Sequence, residues 1–192
     1  MMLLRLKRRV ELARRGHKLL KDKLDGLVQR FLSIKKEYLD LYENLEPRLV
    51  RIFSKSVMSS ALSHPQALKE EALNRAQVSI ETSIKNIMGV RIPSYHLKIE
   101  GAPSSTSLLA TVELSETLSG FSKILPELIE MAALSKSLRL IATQIIETRR
   151  RVNALEYILI PELLRNLRLI RLKLSELERG SRVILLKIAK EE

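Results

Sequence analysis

"LKRRVELARRGHKLLKDKLDGLVQRFLSIKKEYLDLYENL", Leu6 to Leu45, decides the fold. Its apolar positions are Leu6, Val10, Ala13, Leu20, Leu24, Leu27, Phe31, Ile34, Tyr38, Leu41 and Leu45, with His17 as the one polar member, and the steps alternate four and three throughout. That spacing is the 3.5-residue repeat of a left-handed coiled coil, sustained over more than five heptads. Pro47 follows, and Leu49, Ile52 and Ser56 resume the spacing in a shifted phase, so the helix is expected to pass a kink and end near Pro65.

A second heptad segment is expected from about Ser122 to Ile188. Leu134, Leu138, Ile141, Ile145, Thr148, Val152, Leu155 and Leu159 keep the alternation. Leu163 and Leu167 come four and four apart, after which Ile170, Leu174, Leu177, Ser181, Ile184 and Ile188 restore it. The break is a stutter beside Pro161, where a supercoil locally unwinds. At about 1.5 Å per residue each segment makes a helix of roughly 85 to 100 Å.

The texture between the segments differs. Residues 66 to 87 have the spacing of an amphipathic helix. "MGVRIPSYHLKIEG" and "SLLATVEL" alternate β-branched residues around the loop "GAPSSTS", which predicts a small β-hairpin or flap. The expected plan is mostly α: an N-terminal coiled-coil helix over 1–64, a middle head over 65–121 with a short helix and a hairpin, and a C-terminal coiled-coil helix over 122–192. The two long segments fold back on each other as an antiparallel pair, with both termini at one end. Equal arms put Leu3 level with about Lys190, and then Arg149, Arg150 and Arg151 face Glu37, Asp40 and Glu43.

Composition narrows the chemistry. The 192 residues include no Cys and no Trp, and only seven are Phe or Tyr. Without Cys there is no disulfide framework, and His17, His64 and His96 have no metal-ligand spacing. "GVRIP" and "ERGSR" do not fit a phosphate-binding loop, and pairs such as Glu70/Glu71 and Glu176/Glu178 sit on helical stretches without a neighbouring nucleophile. No catalytic, cofactor or metal site is expected. No apolar run approaches the roughly 20 residues of a membrane span, and the N-terminus lacks the apolar core of a signal peptide, so the chain is expected to be cytoplasmic.

The net charge of +12 is concentrated at the ends: residues 1 to 36 hold 12 Lys/Arg against 3 Asp/Glu, and residues 165 to 192 hold 8 against 4. The basic cluster of Arg5, Lys7, Arg8, Arg9, Arg14, Arg15, Lys18, Lys21 and Lys23 fits three readings: a solvated coiled-coil face, a nucleic-acid patch, or a surface meeting an acidic collar. The near absence of aromatics there weakens single-strand binding. His17 in the seam reads as a register-fixing polar residue or as a contact to an outside ring, and Gly16 beside it suggests a closely packed neighbour. In "ETRRRVNALEYILIP", Glu147 to Pro161, Val152 and Leu155 belong to the seam while Arg150, Asn153 and Glu156 point outward. Arg149 to Arg151 read as salt-bridge partners or as a binding hot spot.

Three stretches resemble one family. "TRRRVNALEYILIP" (Thr148 to Pro161), "ARRGHKLLKDKLDGL" (Ala13 to Leu27) and "KNIMGVRIPSY" (Lys85 to Tyr95) are similar, in the right order, to signatures of the D subunit of the archaeal and vacuolar-type rotary ATPases. The resemblance implies a non-catalytic central-stalk rotor subunit of an A-type ATP synthase, coupling proton or sodium flow to ATP synthesis or hydrolysis. It implies that the terminal helices enter the ring of catalytic A and B subunits, that the F subunit binds the stalk, and that the C subunit meets the other end. The chain then lies peripheral to the cell membrane on its cytoplasmic side, with neither membrane insertion nor nucleic acid as a partner. On this reading Arg5, Arg8, Arg9, Arg14, Arg15, Gly16, His17, Lys18, Lys21, Arg182 and Lys187 form the tip within the hexamer, and Arg150, Asn153 and Glu156 meet the F subunit. The alternative from another class is a basic coiled-coil protein that binds nucleic acid or serves as a scaffold.

Overall fold

The structure is a computed structural model that describes residues 2–66, 77–100 and 112–191. Helix α1 spans Met2–Leu62, strand β1 Gln77–Ile87, strand β2 Val90–Glu100 and helix α2 Val112–Ala154. A π-helical turn, Leu155–Leu159, leads into helix α3, Ile160–Glu191. The chain divides into two compact units: residues 1–26 with 145–192, and residues 27–144.

In α1 the heptad reading decides which face is covered. Every seam position from Leu6 to Leu45 is buried or half-buried, His17 included, and so are Leu49, Ile52 and Ser56 beyond Pro47. The residues between them are rich in Lys, Arg and Glu, good helix formers that remain in water.

In the first unit α1 faces α3 and the end of α2, and Val10, Thr148, Val152 and Leu167 are its buried side chains. His17 hydrogen-bonds with Glu156 across this pair, Nε2 to Oε2 at 3.3 Å. Lys7, Val10 and Arg14 share the lining of one cavity with Leu164, Leu167 and Arg171. Facing residues therefore have numbers that add to about 173. That corrects the register expected from equal arms: Leu3 lies level with about Ile170, not Lys190. Arg149 to Arg151 fall level with about residues 22 to 24, not with Glu37, Asp40 and Glu43. Among the described residues of this unit nothing lies opposite α3 from Leu172 onward, and Leu174, Leu177, Val183, Ile184, Leu185 and Leu186 are all exposed. The second heptad segment is a two-helix seam only as far as Ile170, and within that length Leu159, expected in the seam, is 41% exposed at the wide turn before Pro161.

Pro161 explains the stutter. It has no N–H to give, and its ring crowds the carbonyl four residues back. The chain answers with one wide turn: Ile160 N–H bonds to the carbonyl of Leu155, five residues earlier. The extra residue shifts the helix phase, which is the four-and-four step read between Leu159, Leu163 and Leu167.

In the second unit α1 and α2 pair with the same offset. Arg48 bonds to Glu127, Lys55 Nζ lies 2.8 Å from Glu116 Oε2, and Phe53 meets Phe121 edge-on at 5.5 Å between ring centres. Leu27, Ile34, Leu45, Leu114, Ile124 and Ile141 are buried. Ser59, Thr117 and Ser137 are buried too, and their hydroxyls donate to carbonyls of their own helices three or four residues earlier. A core of small hydroxyl residues among Leu and Ile lets the two backbones approach closely. Gly120 marks such an approach, since a Cβ there would stand 3.1 Å from Ile52 Cδ1.

The hairpin lies elsewhere than expected. β1 and β2 pair antiparallel from Gln77↔Glu100 to Ile87↔Val90, joined by Met88 and Gly89 with φ of 52° and 89°. Two positive φ values in a two-residue connection make a type I′ turn, closed by Asn86 Oδ1 accepting from Gly89 N–H at 2.9 Å. The helix expected over 66–87 is therefore a strand from Gln77 on, and its first part, 67–76, lies outside the described residues. Val112, Glu113 and Leu114, expected in the hairpin's second strand, open α2 ten residues before Ser122. The "GAPSSTS" loop also lies outside the described residues.

Ile87, Val90 and Ile92 sit on the face of the hairpin turned to the helices, where Val90 and Ile92 are buried. A cavity of about 570 Å³ remains between the hairpin and the pair, bounded by Arg30, Ile34 and Glu37 of α1 and by Pro126, Ile129 and Ala133 of α2. The opposite hairpin face presents Val78, Ile80, Ile84 and Ile99 to solvent.

Candidate partner-binding surfaces

The basic residues of α1 stand where an amphipathic helix puts them. Arg5, Arg8, Arg9, Arg14, Arg15, Lys18 and Lys21 are exposed, and Gly16 and His17 are half-covered. Arg15 is held by Glu11 at 2.5 Å, one turn away, a pair screened by water and worth a few tenths of a kcal/mol, ~0.3–0.5. Like charges therefore crowd one end of the first unit, and the field they produce attracts an acidic surface.

Arg182 and Lys187 are also exposed, but they belong to the stretch of α3 that continues past the beginning of α1. The register separates them along the helix axis from the Arg5 to Lys21 cluster. Leu172 to Glu191 is a helix of about 30 Å without a partner helix among the described residues, and its apolar side chains from Leu172 to Leu186 are 43 to 70% exposed.

Arg150 and Asn153 are exposed on the last turns of α2. Glu156 is half-exposed but committed inward to His17, so the structure brings together one residue expected at the tip and one expected on the stalk. Arg151 lies 3.8 Å from Glu147, one turn back. The close neighbour expected at Gly16 is not found: among the described residues nothing stands within 4 Å of where its Cβ would be.

One surface was missed at the sequence level. On α1 the residues Val28, Leu32, Leu39, Tyr42, Val50, Phe53 and Val57, none of them a seam position, are 38 to 70% exposed. Each follows a seam residue by one, so they repeat at heptad spacing on an adjacent face of the same helix. Lys35 and Glu46 occupy the intervening places. The signal was legible as a second heptad phase; the strength of the first concealed it. Along this stripe a cavity of about 250 Å³ opens between Tyr42, Val50 and Phe53 of α1 and Met131 of α2. Exposed apolar stripes of this length on a helix are a feature of protein-interaction surfaces.

Among the described residues no group of three or more His, Cys, Asp or Glu side chains is placed to hold a metal ion. No helix in the described residues is long and apolar enough to cross a membrane. What these surfaces present is basic charge and exposed apolar side chains.

Comparison with known proteins agrees with that reading. The family model for the ATP synthase D subunit matches residues 2–191. A V-type ATP synthase D subunit of Acetivibrio thermocellus is 38% identical, covering 98% of this chain and 87% of its own length. Proteins of the same description from Clostridium novyi and Clostridium botulinum (strain Langeland) are 38% and 40% identical, each covering 98% of this chain and 90% of theirs. With its heptad helices, its intervening hairpin and a match over nearly its whole length, the chain belongs to the D-subunit family of the V-type ATP synthases.

Proposed function

We propose that this chain is the non-catalytic central-stalk rotor subunit of its synthase, transmitting torque between the membrane ion-translocating ring and the catalytic A/B hexamer. The observation that supports this most directly is the end of α3, which has no partner helix among the described residues. A helix that leaves its intramolecular seam with apolar side chains uncovered needs a surrounding surface, and the basic cluster at the start of α1 gives that surface a preferred sign of charge. The tip of α3, with Arg182 and Lys187, is then the part that enters the hexamer, and the Arg5 to Lys21 cluster follows it. A shaft whose faces differ favours a different conformation in each catalytic subunit it touches, which sets the order of events without any bond to nucleotide.

The three-part organisation suits a rotor. The long helices, with α2 beginning at Val112, serve as the shaft, and the hairpin Gln77–Glu100 lies toward the C subunit. The F subunit lies along the stalk near Arg150 and Asn153. The complex is peripheral to the cell membrane on its cytoplasmic side, attached through these partners. Purification through a tagged chain tests the assignment. Co-elution of the large A and B subunits with the F and C subunits supports it; tight, steeply salt-dependent nucleic-acid binding with none of these partners overturns it. Deleting residues 1–18 together with the last dozen is expected to abolish coupled ion pumping while the F subunit still co-purifies. Unchanged pumping would remove the tip from the mechanism.

A further inference from the structure

Pro47 interrupts α1 and Pro126 interrupts α2. Their numbers add to 173, the offset at which these helices face each other, so both prolines lie in one cross-section of the second unit. A proline inside a helix withholds one N–H and crowds the carbonyl four residues back, here those of Glu43 and Ser122. A single proline in a helix pair leaves the partner's ladder intact to hold the axis. Two at one level weaken both ladders together.

The seam steps from Leu41 to Leu45 to Leu49 by four and four, so the heptad phase slips there. The cavity of about 250 Å³ between Tyr42, Val50, Phe53 and Met131 opens beside that slip. Resistance of paired helices to twist comes from continuous hydrogen-bond ladders and an unbroken heptad seam; at this level each ladder lacks one N–H and the seam changes phase. An ion pair bridges it. Arg48 Nη1 donates to both carboxylate oxygens of Glu127, at 2.8 and 2.6 Å, and these two residues immediately follow the two prolines.

We propose that the Pro47–Pro126 level is a compliant joint in the α1–α2 pair, clamped by Arg48 and Glu127. The clamp holds the axial register while the helices flex or twist about it. Its service as an elastic element in torque transmission rests on the rotor reading above; its existence in the isolated chain does not.

Hydrogen–deuterium exchange on the full isolated chain tests the joint. Amides of 42–51 and 121–130 are expected to exchange about tenfold faster than those of 27–38 and 134–145. The double variant Pro47→Ala/Pro126→Ala is expected to fold, since alanine favours helix, and to bring the two zones to the rates of their flanks. Glu127→Gln is expected to speed exchange in both zones further. Equal rates in all four zones of the natural chain, or fast zones unchanged in the double variant and in each single one, would overturn the joint. In the assembled complex the double variant is expected to narrow the twist fluctuations of a bead fixed to the stalk. Fluctuations unchanged, with the exchange result intact, would remove the elastic role and leave both joint and rotor standing; a chain that recovers no synthase partners would strike the rotor alone.

Discussion

At Gly16 the described residues give no packing reason for a glycine. A glycine inside a helix costs about 1 kcal/mol relative to alanine, and nothing among the described residues lies within 4 Å of the missing Cβ. Gly16→Ala is therefore expected to stabilise the isolated chain by about 0.5–1 kcal/mol in urea denaturation. If the assembled synthase loses coupling in that variant while the isolated chain gains stability, the glycine serves the approach of a partner; equal or better coupling would assign it no such role. Glu116 makes a different prediction. Its carboxyl is held below the ordinary value of 4.5, first by the hydrogen bond from Lys55 and then by that ammonium's charge. The charged form is favoured in the folded chain, so its contribution is present above the unfolded value and fades as pH falls through the lower folded one. Both side chains are more than half exposed, so the effect is small and screened by salt. Glu116→Gln is expected to flatten the acid limb of the stability-against-pH curve and leave its slope near neutrality unchanged, as followed by urea midpoints across the series.

At the scale of elements, the hairpin shows how one pattern admits two periods. Ile80, Ile84 and Ile87 stand at helical intervals, while Val78, Ile80, Thr82 and Ile84 alternate as a strand does. The abundance of β-branched residues should have weighed for the strand. The turn gave little help, because a type I′ connection usually declares itself by Asn-Gly or Asp-Gly and here Met88 takes the first place with φ of 52°. Left-handed φ costs a non-glycine residue about 1–2 kcal/mol, and asparagine tolerates it better. Met88→Asn is expected to stabilise the hairpin by about 0.5–1 kcal/mol, seen as slower exchange of the amides paired between β1 and β2. Faster exchange would mean that the half-exposed Met88 side chain contributes a contact larger than the backbone cost. The π turn, by contrast, was foreshadowed: Pro161 and the slip at Leu163 are both visible in the sequence, and the wide turn is how the backbone reconciles them.

For the molecule as a whole, the decisive quantity was the register. Because the chain has no natural cysteine, introduced pairs report it without background. Val10→Cys with Leu164→Cys is expected to join through a short bismaleimide in high yield, as is Phe53→Cys with Phe121→Cys, whereas Val10→Cys with Arg182→Cys is not. Efficient joining of the last pair alone would restore the equal-arm register and cover the apolar side chains of α3 that are exposed among the described residues. The sequence by itself determined that there are two long helices and which stripe is covered wherever the two are paired, Leu159 apart: burial there follows a period of 3.5, and period is a local property of the chain. It did not determine how far one helix slides along the other. A heptad seam is nearly self-similar, so a slide by about three heptads meets Leu and Ile again, and equal arm lengths are no physical force. The tertiary structure decided the offset through contacts that do not repeat: His17 on Glu156, Arg48 on Glu127, Lys55 on Glu116, and Phe53 against Phe121.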